Sequence, residues 1–199
     1  EIIELPEDMT GIYLPGSTFT SKTVEGIDVL YTVTSLNPKT VKVASNAVNK
    51  ETAGTITIPS KVEGYEVIGV EKKAFESIRN LTKIILPPTI TTLDENAFYF
   101  CYAQEIIIPK GITSFPEDAF YYCWKLLTMT IPASVESIGN HAFYNCNKLK
   151  VLIVHSPSPA TVTENTFEKC DDAILYVPKG SKAAYEAADY WNKFKIIEM

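Results

Sequence analysis

Four cysteines and two histidines are the side chains of this 199-residue chain that most often bind metals or act as nucleophiles. Four cysteines in a small domain suggest either two disulfides or a zinc site. A zinc site needs paired C-x-x-C spacing or histidines brought close, and cysteine spacings of 22 to 24 residues provide neither. The choice between disulfides and free thiols depends on where the chain places them, at Cys101, Cys123, Cys146 and Cys170.

The histidines and the acidic pairs show no catalytic pattern. Any Ser/His/Asp or Cys/His arrangement must use His141 or His155, the only two histidines. The acidic pairs Asp94-Glu95, Glu117-Asp118 and Asp171-Asp172 lie between apolar positions. A solvated loop is favoured there over a weak calcium site, because no D-x-D-x-D-G pattern is present. We therefore expect no catalysis, no cofactor and no metal ion.

The cysteines belong to an internal repeat. Ala-Phe occurs at 74–75, 97–98, 119–120 and 142–143, and Thr166-Phe167 is a degenerate fifth copy. Three residues after each Phe come Ile78 and then the four cysteines in turn. Side chains stacked in parallel point alike rather than toward each other, which disfavours disulfides. Since Ile78 shows that the position accepts a plain hydrophobe, we predict a buried column of free thiols.

The full unit reads L-x-x-I-x-I-P-x-x-V-x-x-I-x-x-x-A-F-x-x-C, about 23 residues. Its first part alternates as a strand with one buried face, and the proline ends the ladder. Its second part has apolar residues three and four apart, as in short helical or 3₁₀ turns. No single copy can bury its apolar stripe, so copies must stack. We predict a short, curved α/β solenoid with a parallel sheet on one face, helical turns on the other, and a cap at each end.

This unit resembles the BspA-type leucine-rich repeat, which occurs in surface-exposed and secreted proteins of gut and oral anaerobic bacteria. The resemblance covers five copies over residues 56–178 and implies a right-handed stack. It extends to an N-terminal β-hairpin cap at 27–58 and a helix and strand cap at 179–199, with an extended lead-in at 1–26. It implies a cell-surface or secreted location, and an anaerobic habitat is consistent with free thiols.

The caps have their own sequence signals. Asn37-Pro38 predicts the turn of the N-terminal hairpin. At the other end, Ser181 is a candidate N-cap and Lys195 to Glu198 a candidate last strand. Between them, apolar residues at helical spacing predict one helix that covers the last turn: Ala184, Tyr185, Ala188, Trp191 and Phe194.

Two surfaces are candidate binding sites. The first is aromatic and occupies the positions around the inward Ala, Phe and Cys of the central copies: Tyr99, Phe100, Tyr102, Tyr121, Tyr122, Trp124 and Tyr144. Tyrosine and tryptophan combine large contact area with a polar group, as in recognition sites. The second is the outward side of the strands, which is unusually apolar for a solvent face. It comprises Lys83, Ile85, Glu105, Ile107, Thr128, Thr130, Val151 and Ile153.

Composition narrows the function classes. A net charge of -6 counts against a phosphate-binding surface, so we expect no nucleic-acid partner. The apolar runs are far shorter than a membrane span, and no signal-peptide pattern is visible. The leading hypothesis is a non-enzymatic surface or secreted protein that binds another macromolecule, most plausibly a host or matrix protein. The alternatives are a structural spacer within a larger surface protein and a carbohydrate-binding module.

Overall fold

The structure is a computed structural model that describes residues 13–199, so residues 1–12 of the predicted lead-in lie outside the described residues. Within that range the chain forms strands and one short helix, which are, in order: β1 (Thr18–Lys22), β2 (Asp28–Leu36), β3 (Lys39–Val43), β4 (Ala53–Thr57), β5 (Lys61–Val62), β6 (Tyr65–Val70), β7 (Asn80–Ile85), β8 (Thr92–Leu93), β9 (Glu105–Ile107), β10 (Ser114–Phe115), β11 (Thr128–Ile131), β12 (Ser137–Ile138), β13 (Val151–Val154), β14 (Ile174–Val177), α1 (Lys182–Ala187) and β15 (Lys195–Glu198).

One continuous parallel sheet runs along the stack, with strand order β4-β7-β9-β11-β13-β14-β15. Each strand comes from one turn of the chain and pairs with the strand of the turns before and after it. The predicted repeat arrangement with a parallel sheet is therefore confirmed. Seven strands make about seven turns, and each strand points one residue of the same register into the core: Ile56, Ile84, Ile106, Met129, Leu152, Leu175 and Ile196.

The opposite side is made of turns and short strands, not of helices. After the bend, Ile90 N–H donates to the Pro87 carbonyl at 3.2 Å, and the chain then extends for two residues as β8. β8 pairs parallel with β6, and β10 with β12. The three-residue apolar spacing that predicted helical turns thus arises from a tight turn followed by a short strand. No helix is assigned to the repeats within 13–199, and the handedness of the stack stays a prediction.

The Ala-Phe segments form a third set of contacts between turns. Phe98 N–H donates to the Ala119 carbonyl at 2.9 Å, and Phe120 N–H to the Ala142 carbonyl at 2.8 Å. In a helix these donors would bond within their own turn. The residue before each Ala has a left-handed backbone, with φ of 59° at Asn96 and 56° at Asp118. Asn and Asp tolerate that conformation best, which explains the polar residues at this repeat position.

The core contains two aligned columns. The phenylalanine rings of successive turns stack with centroids 5.0 to 5.4 Å apart, from Phe75 to Phe167. Beside them the four cysteines are buried and free, which confirms the predicted thiol column. Three of the thiols donate to the carbonyl of the Phe in the preceding turn, at 3.0 to 3.2 Å. These three thiols therefore join adjacent turns without a covalent bond.

The repeat region begins earlier than predicted and contains more than five copies. Asn46 has a left-handed backbone (φ 50°), like the residue before Ala in the later turns, and Ala47 N–H donates to the Ala74 carbonyl, a bond that the Phe N–H makes in the later turns. Asn46, Ala47 and Val48 thus occupy the Asn-Ala-Phe positions of an additional turn, and β4 is its strand. The sequence did not reveal this copy, because Val48 replaces the phenylalanine that marks the others.

The two ends are closed differently. At the N-terminal end β1, β2 and β3 form an antiparallel meander, and β3 then pairs parallel with β6. At the C-terminal end α1 is only six residues long, so the predicted helix is too long. Trp191 and Phe194 follow α1 in a turn and are buried against Phe167. Ser181 makes no side-chain cap, since its hydroxyl donates to the Pro178 carbonyl instead.

Candidate functional site

The outward side of the long sheet carries two columns of side chains, because every strand contributes one residue to each. The register forms a mixed column of Thr55, Lys83, Glu105, Thr128, Val151, Ile174 and Lys195. The second, here named the apolar column, contains Thr57, Ile85, Ile107, Thr130, Ile153, Tyr176 and Ile197. All of these residues are half-buried or exposed. With strands about 4.8 Å apart, the apolar column extends over about 29 Å.

The predicted strand-face residues all lie on this surface, and the structure adds others. Ile107 in the centre is 37% exposed, although it is flanked by strands on both sides. Tyr176 and Ile197 extend the apolar column across the last two strands. The sequence missed them because these final strands lack the full repeat pattern, and only their register in the sheet reveals the position.

A groove of about 430 Å³ adjoins the apolar column where the central strands end. Ile108, Thr130, Pro132 and His155 contribute to its lining. His155 replaces the bend proline of the other turns and is exposed at this groove. Ser134 is nearby, but its hydroxyl donates to the Ile112 carbonyl at 2.6 Å. The groove therefore extends the apolar surface and contains no activated nucleophile among its lining residues.

One positive and one negative side chain neutralise each other in the mixed column. Lys83 and Glu105, on adjacent strands, form an ion pair of 2.8 Å. Threonines border this pair at Thr55 and Thr128. Because the pair is partly solvated, it contributes little to stability. Its position beside Ile85 and Ile107 gives the apolar column a polar border, as at the rim of a protein interface.

The predicted aromatic surface is a set of rings stacked between turns. Tyr99, Tyr121 and Tyr144 form one column with centroids 5.2 and 5.0 Å apart and planes within 10°. Phe100 and Tyr122 form a second, at 4.7 Å and 10°. All five rings are half-buried. The faces that meet are shielded from solvent, and the Tyr144 hydroxyl accepts a hydrogen bond from Lys169 Nζ at 2.9 Å.

The outer part of the aromatic surface is more open. Tyr102 and Trp124 meet edge to face at 5.4 Å, and Trp124 is 37% exposed. Lys125 Nζ lies 5.1 Å from the Tyr102 ring centroid, within cation–π distance. A shallow groove of about 290 Å³ separates these rings from Asn145 and Asn147. Trp124 is the one ring of this surface that offers substantial free area.

Replacing Tyr121 by Ala is expected to lower the free energy of unfolding by about 1–3 kcal/mol, because each stacked pair contributes about 0.5–1.5 kcal/mol beyond area burial. Tyr121 stacks on Tyr99 and on Tyr144. Trp124→Ala is the matched control, since Trp124 makes a single edge contact within the surface and should cost less than half as much. Urea unfolding measures both, and equal losses would contradict stacking as the role of the tyrosine column.

The structure also brings together residues that the sequence left in separate loops. Glu117, Asp118 and His141 place one ligand atom each within 4.8 Å of one another. Asp118 and His141 hold the same repeat position in adjacent turns. A comparison of equivalent repeat positions reveals this proximity, whereas the linear spacing of 23 residues hides it.

The fold defines a class: a repeat solenoid in which each turn adds one strand to a continuous parallel sheet. A profile of the BspA type leucine rich repeat region matches residues 41–174 in six copies. The chain therefore belongs to the BspA-type leucine-rich repeat family. The six copies agree with the early start at Asn46 to Val48 and correct the predicted number of five. No curated protein sequence matches the chain.

Solved structures share the fold. A leucine rich cell surface protein from Faecalibacterium prausnitzii is similar with a TM-score of 0.69 and 23% identity, over 83% of this chain and 41% of that one. The leucine rich repeat protein of T. pallidum gives 0.66 and 22%, over 79% and 71%. The pneumococcal vaccine antigen PcpA gives 0.62 and 21%, over 85% and 52%. This chain thus spans less than half the length of the Faecalibacterium protein, and the likeness concerns the fold.

In residues 13–199, no helix has the length and apolar character needed to cross a bilayer.

Proposed function

We propose that this chain is a non-enzymatic repeat module, displayed at a cell surface or secreted, that binds another protein through the apolar column. The observation that supports this most directly is the set of four isoleucines and one tyrosine in the apolar column, interrupted by Thr130, on the solvent side of the sheet. Side chains held on paired strands lose little entropy on binding. An apolar surface with a polar border is typical of protein interfaces.

The surroundings of the two histidines support the absence of catalysis. His155 lies beside a serine whose hydroxyl already donates to a backbone carbonyl. His141 Nδ1 lies 3.8 Å from an Asp118 oxygen and within hydrogen-bonding distance of the Asn140 amide. Neither arrangement activates a nucleophile.

The partner class is a protein rather than a sugar. Carbohydrates stack on open aromatic faces, but both faces of Tyr121 are covered by neighbouring rings, which leaves Trp124 as the ring with substantial free area. A host or matrix protein is the partner that surface display favours, and adhesion is the process that such binding serves. A spacer role predicts instead that the strand face binds nothing.

Replacing Ile107 and Ile153 together by Glu is expected to weaken partner binding at least about tenfold, since about 1.4 kcal/mol corresponds to a factor of ten and each change buries a charge in the interface. Both side chains are solvent-facing, so the variant should fold. Biolayer interferometry against a panel of purified extracellular-matrix and mucosal proteins measures the effect.

The control adds the same charge elsewhere. Thr91 and Thr113 are exposed at equivalent positions of two turns, away from the sheet, and Thr91→Glu with Thr113→Glu should leave binding unchanged. If no protein of the panel binds, or if both double variants bind like the original chain, the strand-face proposal is wrong. Loss of binding in the Trp124→Ala variant alone would place the interface on the aromatic surface.

A further inference from the structure

We propose that Glu117, Asp118 and His141 form a binding site for a divalent transition-metal ion, with Zn²⁺ as the reference ion. The three side chains come from two adjacent turns and lie on the turn side of the stack, away from the apolar column. The site is therefore separate from the proposed protein interface and does not depend on it.

The repeat architecture holds these groups in place. Asp118 N–H donates to the Asn140 carbonyl at 3.1 Å, which locks the two turns together beside the site. Asp118 and His141 both have left-handed backbones, with φ of 56° and 54°. Two side chains leave equivalent backbone positions in the same direction, so they run side by side. This is the preorganisation that a metal site needs.

The distances suit a small cation. Asp118 Oδ1 lies 3.8 Å from His141 Nδ1, and all three ligand atoms lie within 4.8 Å of one another. Zinc with bonds of about 2.0–2.2 Å holds tetrahedral ligands about 3.3–3.6 Å apart. The required contraction is small, and Glu117, which is exposed, is free to rotate toward the ion. An ion bound through His141 Nδ1 would replace the present contact of that atom with the Asn140 amide nitrogen at 3.1 Å, while the Asn140 oxygen keeps its hydrogen bonds from Thr163 and Asn165.

One oxygen of the cluster lacks a partner. Asp118 Oδ1 is buried and accepts no hydrogen bond from any residue within 13–199. A buried acceptor without a partner is costly, and a cation removes that cost. Among nearby cations, Lys72 already pairs with Glu95 at 3.7 Å.

The ligand set indicates the class of ion. Calcium takes six to eight oxygen ligands, whereas this cluster offers one imidazole nitrogen and two carboxylates. That mixture suits Zn²⁺, Mn²⁺ or Fe²⁺ and leaves at least one position for water. His141 also meets the edges of the Tyr121 and Tyr144 rings, at 6.0 and 5.3 Å between centroids. A metal ion bound to His141 would therefore restrain a side chain that also contacts the tyrosine column.

The test is calorimetric titration of the chain with ZnCl₂ in metal-free buffer. We expect one ion per chain, and His141→Asn should weaken binding at least about 100-fold, because it removes one of three ligands. Asn already holds the same repeat position at Asn96, with φ of 59°, so this variant keeps the turn. His155→Asn, which changes the other histidine, should bind zinc like the original chain.

Two further variants distinguish loss of the metal site from loss of the folded structure. Glu117→Gln alters only an exposed side chain and should also weaken binding, while thermal unfolding without zinc stays unchanged. Asp118→Asn should remove binding and keep the turn. If zinc produces no binding heat up to millimolar concentration, or if His141→Asn and Glu117→Gln bind zinc as tightly as the original chain, the cluster is not a metal site.

Discussion

Phe120→Ala is expected to lower the free energy of unfolding by about 3–5 kcal/mol, the usual cost of deleting a buried aromatic side chain. Phe120 is fully buried at the centre of the phenylalanine column. Its ring stacks on Phe98 at 5.2 Å and on Phe143 at 5.0 Å, and Phe115 meets it edge to face at 5.2 Å. The loss removes contacts to both neighbouring turns, and adjacent backbones are hydrogen-bonded too tightly to fill the cavity.

Urea unfolding measures this loss, and Leu127→Ala provides the control. Leu127 is 41% exposed, so its truncation should change stability by no more than about 0.5 kcal/mol. A Phe120→Ala loss below about 1 kcal/mol, with an unchanged slope against urea, would contradict a tightly packed column.

The four thiols of the folded chain are expected to resist a thiol-specific disulfide reagent at least several thousand-fold better than those of the unfolded chain. All four are buried, so reaction requires the stack to open, and stability of at least about 5 kcal/mol sets that protection. Burial also raises the pKa of Cys101 to about 12 and the pKa values of Cys123 and Cys146 well above the ordinary range. For these three cysteines, the raised pKa further lowers the fraction of reactive thiolate in the folded state.

The pH dependence has a definite sign. A thiol with a raised pKa stays neutral in the folded chain, while the unfolded chain ionises near pH 8.5. Stability is therefore full below about pH 8.5 and falls as the pH rises toward about 12. Labelling should count no thiol in the folded chain at neutral pH and four in denaturant. Rapid modification of even one thiol without denaturant would show that the column is open.

The sequence predicted the parts of the fold that repeat faithfully. Phe and Cys recur at one spacing because each turn must place the same volume at the same depth, so the core columns and the sheet were predictable. The helical turns were not, since Pro87 to Leu93 shows how a turn and a short strand mimic helical spacing. The predicted length of the C-terminal helix was also wrong, because Trp191 is buried equally well from the turn that follows α1.

The candidate sites were predictable to different degrees. Alternation along one strand indicates which residues face solvent, so Ile85 and Ile107 were found. It does not indicate which side chains of different turns meet. The proximity of Asp118 and His141, and the extension of the apolar column to Ile197, depend on register between turns. The face-to-face stacking of the tyrosines likewise requires knowledge of how neighbouring rings orient.

The hydrogen bonds between turns on three sides have a mechanical consequence. Each turn is hydrogen-bonded to the turns on either side of it, so the boundaries between turns lie in series and all carry the same tension when the two ends of the chain are pulled apart. An end turn has a neighbour on one side only, so we expect the stack to open from an end, one turn after another. Each turn of about 23 residues then releases up to about 80 Å of chain. Such a molecule lengthens in steps under tension and absorbs work at each step.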